Sequence, residues 1–431
     1  MNKSNMAQKE KDYSTKPVPL KNRKSWVSVA AIYFGMTAAI SSFATGGGLI
    51  VNLPFRDSLL SLLIATGILM LIFYVPLGLI GAREGLNTYI IGESAFGSKG
   101  TNIATGMVIS VIPAFGWYGI QVSIAAEALN QSFGGQTSLT PLFMVILGIL
   151  FVIPALFGIT SMALLDYISI PAILIITILG VLKVFSIFDL NEIFSYQPEG
   201  DHSLLWGINL VIGGLVAGCC FVPDYTRWTK RKLSDVSYSG LVGIGVPLIL
   251  LTIVGSMMAL TATSLGIEEA WDISKVLAAL GLPSIALLLI IVLQWTTNIV
   301  AAYSAGLALN KAFGWSRIWW TLIVAIVGTS LSLFGIISSF LGFLNFLSIF
   351  ISPVAGVLIC EYFIISKGKL NSKRGFYWPG IIAWLIGGLS AYLIPYFIPA
   401  LNGFFISMIL YFSYHRFIIK KEDKEISVNI N

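Results

Sequence analysis

Long apolar runs recur along this chain from residue 26 to residue 417, each near the ~20 residues that a bilayer-spanning helix needs. Short stretches rich in Gly, Pro and charge separate them. Reading the runs between these breakers predicts twelve helical segments: 26–51, 57–81, 102–130, 138–160, 165–186, 205–225, 237–263, 280–311, 317–335, 338–366, 375–393 and 396–417. They are numbered 1 to 12 in that order. The polar, Lys-rich stretch 1–24 has neither the short apolar core nor the small-residue cleavage site of a signal peptide. It reads as a disordered cytoplasmic tail, with 25–418 as one transmembrane domain and 419–431 as a second cytoplasmic tail.

Composition agrees with the pattern. Of 431 residues, 56% are apolar and 11% charged, and the mean hydropathy is +0.87, whereas a typical soluble domain is about 25% charged. The expected class is an all-α integral membrane protein. Of the 26 Lys and Arg, only Arg56, Lys183 and Lys275 fall on one side of the alternating loops, and the rest fall on the side of the N-terminus. By the positive-inside rule both termini are then cytoplasmic, in a bacterial-type inner membrane. The acids Asp189, Glu192, Glu199 and Asp201 gather in one outer loop, and Glu268, Glu269 and Asp272 in another. The net charge of +6 does not indicate nucleic acid, because the basic residues are scattered over inner loops as a topogenic signal requires. Cys219, Cys220 and Cys360 all lie in apolar segments, which suggests neither a disulfide framework nor a zinc site.

Polar or helix-breaking residues at mid-depth in a bilayer are costly unless they line a cavity. Segment 1 carries Gly35, Thr37, Ser41, Ser42 and Thr45 before Gly46, Gly47 and Gly48. At 1.5 Å per residue, Gly35 lies about 13 Å from the inner end. Segment 6 carries Gly213, Gly214 and Gly218, and segment 8 carries Gln294, Thr296, Thr297 and Asn298. Segment 3 carries Trp117 with Gln121 one turn on, so that the two share a face. Segment 1 opens the chain and segment 6 opens a second five-helix unit of opposite orientation, the inverted-repeat pattern of secondary transporters with substrate sites at broken midplane helices. Close helix packing through Gly and Ser is the competing reading of any one of these segments.

Threonine hydroxyls and unwound backbone carbonyls suit a hard monovalent cation such as Na⁺. Trp117 offers a flat π face to a heterocycle, and Gln121 and Asn298 each present a donor and an acceptor to an amide-like edge.

At these residues the chain resembles the nucleobase:cation symporter (purine/cytosine permease) family, and within it the bacterial cytosine permeases, from residue 17 to residue 417. The resemblance is carried by Phe115-Gly116-Trp117-Tyr118-Gly119, Pro223-Asp224-Tyr225-Thr226-Arg227-Trp228, Trp295-Thr296-Thr297-Asn298 with Tyr303-Ser304-Ala305-Gly306-Leu307, and Phe343-Leu344-Asn345-Phe346-Leu347 leading to Pro353-Val354-Ala355-Gly356. The stretch 81–100 is similar to the family's inner connection between segments 2 and 3. The resemblance implies a five-plus-five inverted repeat with broken helices 1 and 6, two additional C-terminal helices, and alternating access with a coupled cation. It implies a sodium site from backbone oxygens of Gly35, Ala38 and Leu293 with the hydroxyls of Thr296 and Thr297. It implies substrate contacts from Trp117, Gly214, Leu215 and Asn298, joined by Gln121. Two departures matter: the cytosine permeases carry a Gln three residues before the stacking Trp, where this chain has Ala114, and an aromatic where it has Leu215. Gln121, four residues after Trp117, is instead similar to the hydantoin transporter branch.

The expected function is import of a nucleobase by cation symport, with a hydantoin, allantoin or hydroxymethylpyrimidine as the alternative substrate. Na⁺ is the expected coupling ion and H⁺ the alternative, with no cofactor and no obligate protein partner. An amino-acid carrier would need charge partners beside Trp117, a channel filter-like loops, and a sensor an output domain. Catalysis is not expected: His202 and His415 sit at opposite ends of the fold, and Gly97-Ser98-Lys99-Gly100-Thr101 lacks the order of a phosphate loop. Glu127 and Glu361 lie toward span ends within apolar runs, and Asp224 and Arg227 are spaced to share a helical face as an inner gate or a structural pair.

Overall fold

The computed structural model describes residues 16–419 apart from 136, 158, 199, 265, 268, 282–283 and 395. Most of the expected N-terminal tail, the C-terminal tail from residue 420, Glu199 and Glu268 therefore lie outside the described residues. Each of the twelve expected segments coincides with helix. Among the described residues seven helices are long and apolar enough to cross a membrane, or eight when the bent pair Trp26–Thr37 and Ile40–Asn52 of segment 1 counts as one span. Pro171–Phe185, Arg317–Leu333 and Trp378–Leu393 are shorter apolar helices within segments 5, 9 and 11. Short helices Leu190–Ser195 and Ile273–Ala279 cover the loops after segments 5 and 7. The first is closed by a capping box in which Asp189 and Glu192 exchange side-chain and backbone bonds.

Proline explains much of the local geometry. Widened π-turns at Leu69–Tyr74, Asn102–Val111 and Leu241–Gly245 each end just before Pro76, Pro113 and Pro247. A proline ring displaces the carbonyl four residues back and donates no hydrogen bond, so the preceding turn opens rather than strains. The arm Thr88–Thr101 between segments 2 and 3 starts on the Asn87 side chain, which accepts from the Ile90 N–H, and kinks at Gly97 (φ 82°). At that kink a Cβ would lie 2.4 Å from the Gly375 carbonyl. The N–H groups of Ser98 and Lys99 are taken by the carbonyls of Lys373 and Gly375, so this Gly-Ser-Lys-Gly stretch docks a loop rather than a phosphate.

Segment 1 is broken as expected, but not at its glycines. The helix Trp26–Thr37 ends at Ala38 (ψ 60°), Ala39 is extended, and Ile40–Asn52 resumes at 55° to the first half. The Ser42 hydroxyl donates to the freed Thr37 carbonyl at 2.8 Å, which satisfies a group that the break would otherwise leave bare.

Segment 6 corrects the expectation of a mid-depth break. Leu204–Cys220 is helical straight through Gly213, Gly214 and Gly218, and the chain turns only at Phe221 and Val222, before the one-turn helix Pro223–Thr226. Glycine keeps its N–H, so it lowers helix propensity without severing the ladder. Here it serves contact instead. A Cβ on Gly213 would lie 1.9 Å from the Leu344 carbonyl of segment 10. Likewise Gly46 abuts the Thr252 carbonyl of segment 7, and Gly255 abuts the Phe43 carbonyl. The Ser256 hydroxyl donates to the Gly46 carbonyl at 3.0 Å across this seam.

Residues 16–24, expected within the N-terminal tail, pack against the helices. Val18 is buried, its N–H donates to the Gly85 carbonyl at 2.9 Å, and the Lys24 N–H donates to the Trp228 carbonyl. The Arg23 guanidinium donates to the carbonyls of Val18, Ala82 and Thr229. Residues 16–24 thus tie the arm after segment 2 to the chain after segment 6.

Among the described residues the buried apolar side chains form two clusters. The larger draws mainly on segments 1, 2, 6, 7, 10 and 12, and the smaller on segments 3, 4, 8 and 9. Segment 3 joins them: Trp117 packs against the larger cluster while Ala114 and Tyr118 belong to the smaller.

Candidate functional site

The expected site residues fall into a cleft between segments 1, 6 and 7, a contact between segments 3 and 8, and one turn of segment 8. The break in segment 1 opens a cleft lined by Thr37, Ser41, Ser42 and Thr45, faced by Gly214 and Leu215 of segment 6 and Leu248 of segment 7. Its empty volume is about 300 Å³, including the space at its mouth. Gly214 is what keeps this wall low, because a Cβ there would sit 3.4 Å from the Thr45 hydroxyl. Inside, Thr45 Oγ1 donates to the Ser41 carbonyl at 2.9 Å, whereas Thr37 Oγ1 is buried without a partner.

Trp117 is half-buried, with Phe340 and Phe343 of segment 10 meeting it edge-on at ring separations of 6.1 and 5.6 Å and interplanar angles of 71° and 80°. Such T-shaped contacts fix the orientation of the indole. Gln121, one turn on, is buried with Oε1 unpartnered. Asn298 of segment 8 is buried, donates from Nδ2 to the Tyr118 carbonyl at 3.4 Å and leaves Oδ1 unpartnered. The Tyr118 side chain points away into the smaller cluster, where its hydroxyl donates to the Gly148 carbonyl at 2.7 Å. Trp117 and Asn298 are thereby brought to neighbouring levels of adjacent helices.

Of the expected cation ligands, three share one turn of segment 8. Thr296 Oγ1 and Thr297 Oγ1 both donate to the Leu293 carbonyl, at 2.9 and 3.1 Å. Their lone pairs stay available to a cation, and all these oxygens are neutral, as weak and releasable binding of a monovalent ion requires. Ala38 is buried at the end of the first half-helix, where its backbone leaves helical geometry. Gly35 lies one turn earlier, still helical and exposed. Among the described residues no group of three His, Cys, Asp or Glu could hold a metal ion.

The remaining candidates have structural partners of their own. Glu127 accepts from Gln131 Nε2 at 2.6 Å. Asp224 accepts the Thr88 N–H at 2.8 Å and so caps the arm helix, and Arg227 Nε donates to the Asp224 carbonyl. His202 stacks on Trp206, and His415 Nε2 meets the Tyr377 hydroxyl at 2.9 Å. Glu361 is 2% exposed and holds the Tyr411 hydroxyl at 2.5 Å, the Ser366 hydroxyl, and Lys373 Nζ at 3.2 Å.

One buried acid escaped the sequence reading. Asp272, placed there among solvated outer-loop acids, is 3% exposed, and its Oδ1 accepts the Ser274 N–H at the start of Ile273–Ala279. Burial pushes its carboxyl up to about 7, against the pull of Lys275 and with a further push from Glu127. The Asp272-Ile273-Ser274 order is a helix-cap signal, but nothing local reports that the cap is covered by segment 3, onto which Ser274 Oγ donates at the Ile124 carbonyl (2.7 Å).

With this geometry in view, the comparisons are decisive. The family profile described as permease for cytosine/purines, uracil, thiamine, allantoin matches residues 17–401. The chain belongs to this permease family. The permease is 28% identical over 395 residues to the cytosine permease of Escherichia coli (strain K12), covering 90% of this chain and 91% of that one. It is 23% identical over 411 residues to the hydantoin permease of Microbacterium maritypicum, covering 85% and 81%. Its fold matches that of Mhp1, a nucleobase-cation-symport-1 family transporter solved in a closed conformation with bromovinylhydantoin bound, with TM-score 0.78, 19% identity, and coverage of 95% and 96%. The permease is a multi-helix membrane transporter and not an enzyme.

Proposed function

We propose that the permease imports a neutral, planar, nucleobase-like heterocycle by cation symport. The observation that carries this is a half-buried Trp117, oriented by T-shaped contacts, on the same stretch of segment 3 as the buried Gln121 and beside Asn298, the amide oxygens of both being unpartnered. A buried amide group without a partner costs about 1–3 kcal/mol, and a ring stacked on the indole offers the missing donors. Gly214 and Leu215 border the ring from segment 6. Na⁺ binds to the Gly35, Ala38 and Leu293 carbonyls and the Thr296 and Thr297 hydroxyls, linking the first half of segment 1 to segment 8. The twelve segments cross a bacterial inner membrane with both termini cytoplasmic, and segments 1–5 and 6–10 rock as inverted repeats in alternating access. Uptake of radiolabelled cytosine, uracil, hypoxanthine, allantoin and hydantoin by cells expressing the chain tests this. At least one accumulates, Trp117→Ala abolishes accumulation, and replacing Na⁺ with choline lowers it. If no ring accumulates or competes, the substrate class is wrong; uptake that follows pH and ignores Na⁺ reassigns the coupling ion to H⁺.

A second substrate reading, a hydantoin or allantoin rather than cytosine, is favoured by Ala114. This buried residue offers no hydrogen bond one turn before Trp117, while Gln121 offers one on the other side.

A further inference from the structure

Segments 3 and 8 run antiparallel. As an odd and an even span they cross in opposite senses in the topology proposed above, and Asn298 of segment 8 meets the Tyr118 carbonyl of segment 3. One turn forward from Tyr118 on segment 3 is therefore level with one turn back from Asn298 on segment 8. The residues there are Gln121 and Gln294. Gln294 shares the helix face of Asn298, being four residues from it. It is fully buried, and neither its Oε1 nor its Nε2 has a partner. Gln121 is buried too, with its own Oε1 unpartnered. Two glutamines at one level of adjacent helices thus leave three amide atoms unsatisfied and do not bond each other. Apolar residues of similar size would pack this level without that cost, so close packing does not account for them.

We propose that Gln294 is a specificity-determining residue of the transport site, pairing with Gln121 to read a second hydrogen-bonding edge of the ring one turn beyond the edge read by Asn298. This rests on the proposed function and narrows it. The permease then selects rings with two separate amide-type edges, as in uracil or hypoxanthine, over a ring with a single N–C=O edge, as in 2-pyridone. An amide supplies both a donor and an acceptor, so Gln294 serves either polarity of edge.

The test is competition by uracil, hypoxanthine and 2-pyridone against uptake of the accumulated ring, in wild type, Gln294→Leu and Gln294→Met. Loss of one buried hydrogen bond lowers affinity for two-edge rings about tenfold while that for 2-pyridone holds within about twofold, and the concentration of Na⁺ giving half-maximal uptake is unchanged. Met matches Gln in length, so it carries the test if the Leu variant does not fold. A Met variant with an unaltered two-edge to one-edge ratio overturns the proposal, and so does a Met variant that cannot fold, because the amide would then be structural. If wild type takes up no ring at all, the proposed function fails; if it does and the ratio is unaltered, only the role of Gln294 fails.

Discussion

Gly213→Ala separates a hinge from a packing contact in segment 6. The added methyl would lie 1.9 Å from the Leu344 oxygen and 2.5 Å from its carbonyl carbon, whereas comfortable carbon contacts begin near 3.5 Å, so segments 6 and 10 must part by roughly 1.5 Å. The obstacle is helix backbone and cannot rotate away. Overpacking of this kind costs about 1–3 kcal/mol. The same separation stretches the 2.6 Å bond from Asn209 Nδ2 to Asn345 Oδ1, which is worth about 1 kcal/mol. Against this, Ala gains about 1 kcal/mol of helix propensity over Gly. The balance is a loss of roughly 1–3 kcal/mol by the same terms. Gly35→Ala is the control: it lies in the same kind of helix with nothing within 4 Å of the new methyl, so it keeps its carbonyl and melts at or above wild type. Thermal melts of the detergent-purified variants at one fixed scan rate provide the readout, since membrane-protein melts are often irreversible. A Gly213→Ala protein as stable as wild type, or a Gly35→Ala protein less stable than Gly213→Ala, would refute the packing argument.

Three further outcomes follow from the geometry. Asp272 holds its proton more tightly folded, with its carboxyl near 7, than unfolded. Its stabilisation is therefore complete below the ordinary carboxylate range and is lost as pH rises through about 7, on the order of 4 kcal/mol over the window; the melting temperature should fall from pH 5 to pH 8 in wild type and stay flatter in Asp272→Asn, and parallel profiles would contradict this. Glu361→Gln strands Lys373, whose side chain is 25% exposed, and should cost roughly 1–3 kcal/mol, less than a fully buried pair; adding Lys373→Met should recover part of it, and equal melting temperatures for single and double variants would count against the pair. Thr296→Val and Thr297→Val keep shape while deleting a hydroxyl, so half-maximal uptake should need about tenfold more Na⁺, with the serine variants near wild type; an unchanged Na⁺ dependence removes these hydroxyls from the site.

The chain alone determined which stretches become helix, because apolar runs bounded by Gly, Pro and charge report burial through local composition. The same is true of the π-turns before Pro76, Pro113 and Pro247, whose cause lies within one turn of the ring. Its motifs were enough to point to the permease family and to set Trp117 and Gln121 on one helical face. Tertiary structure decided the rest. Glycine permits either a break or a close contact, and only the distant Leu344 and Thr252 carbonyls assign Gly213 and Gly46 to contact. The break instead falls at Ala38 and Ala39, residues with no breaking tendency of their own, next to a serine that can satisfy the freed carbonyl. Asp272 reads as a solvated loop acid until segment 3 covers it, and residues 16–24 read as tail until Gly85, Trp228 and Thr229 bind them. For the glycines, Asp272 and residues 16–24 the deciding partner lies tens to hundreds of residues away, and local pattern carries no term for a contact that exists only once the helices have packed.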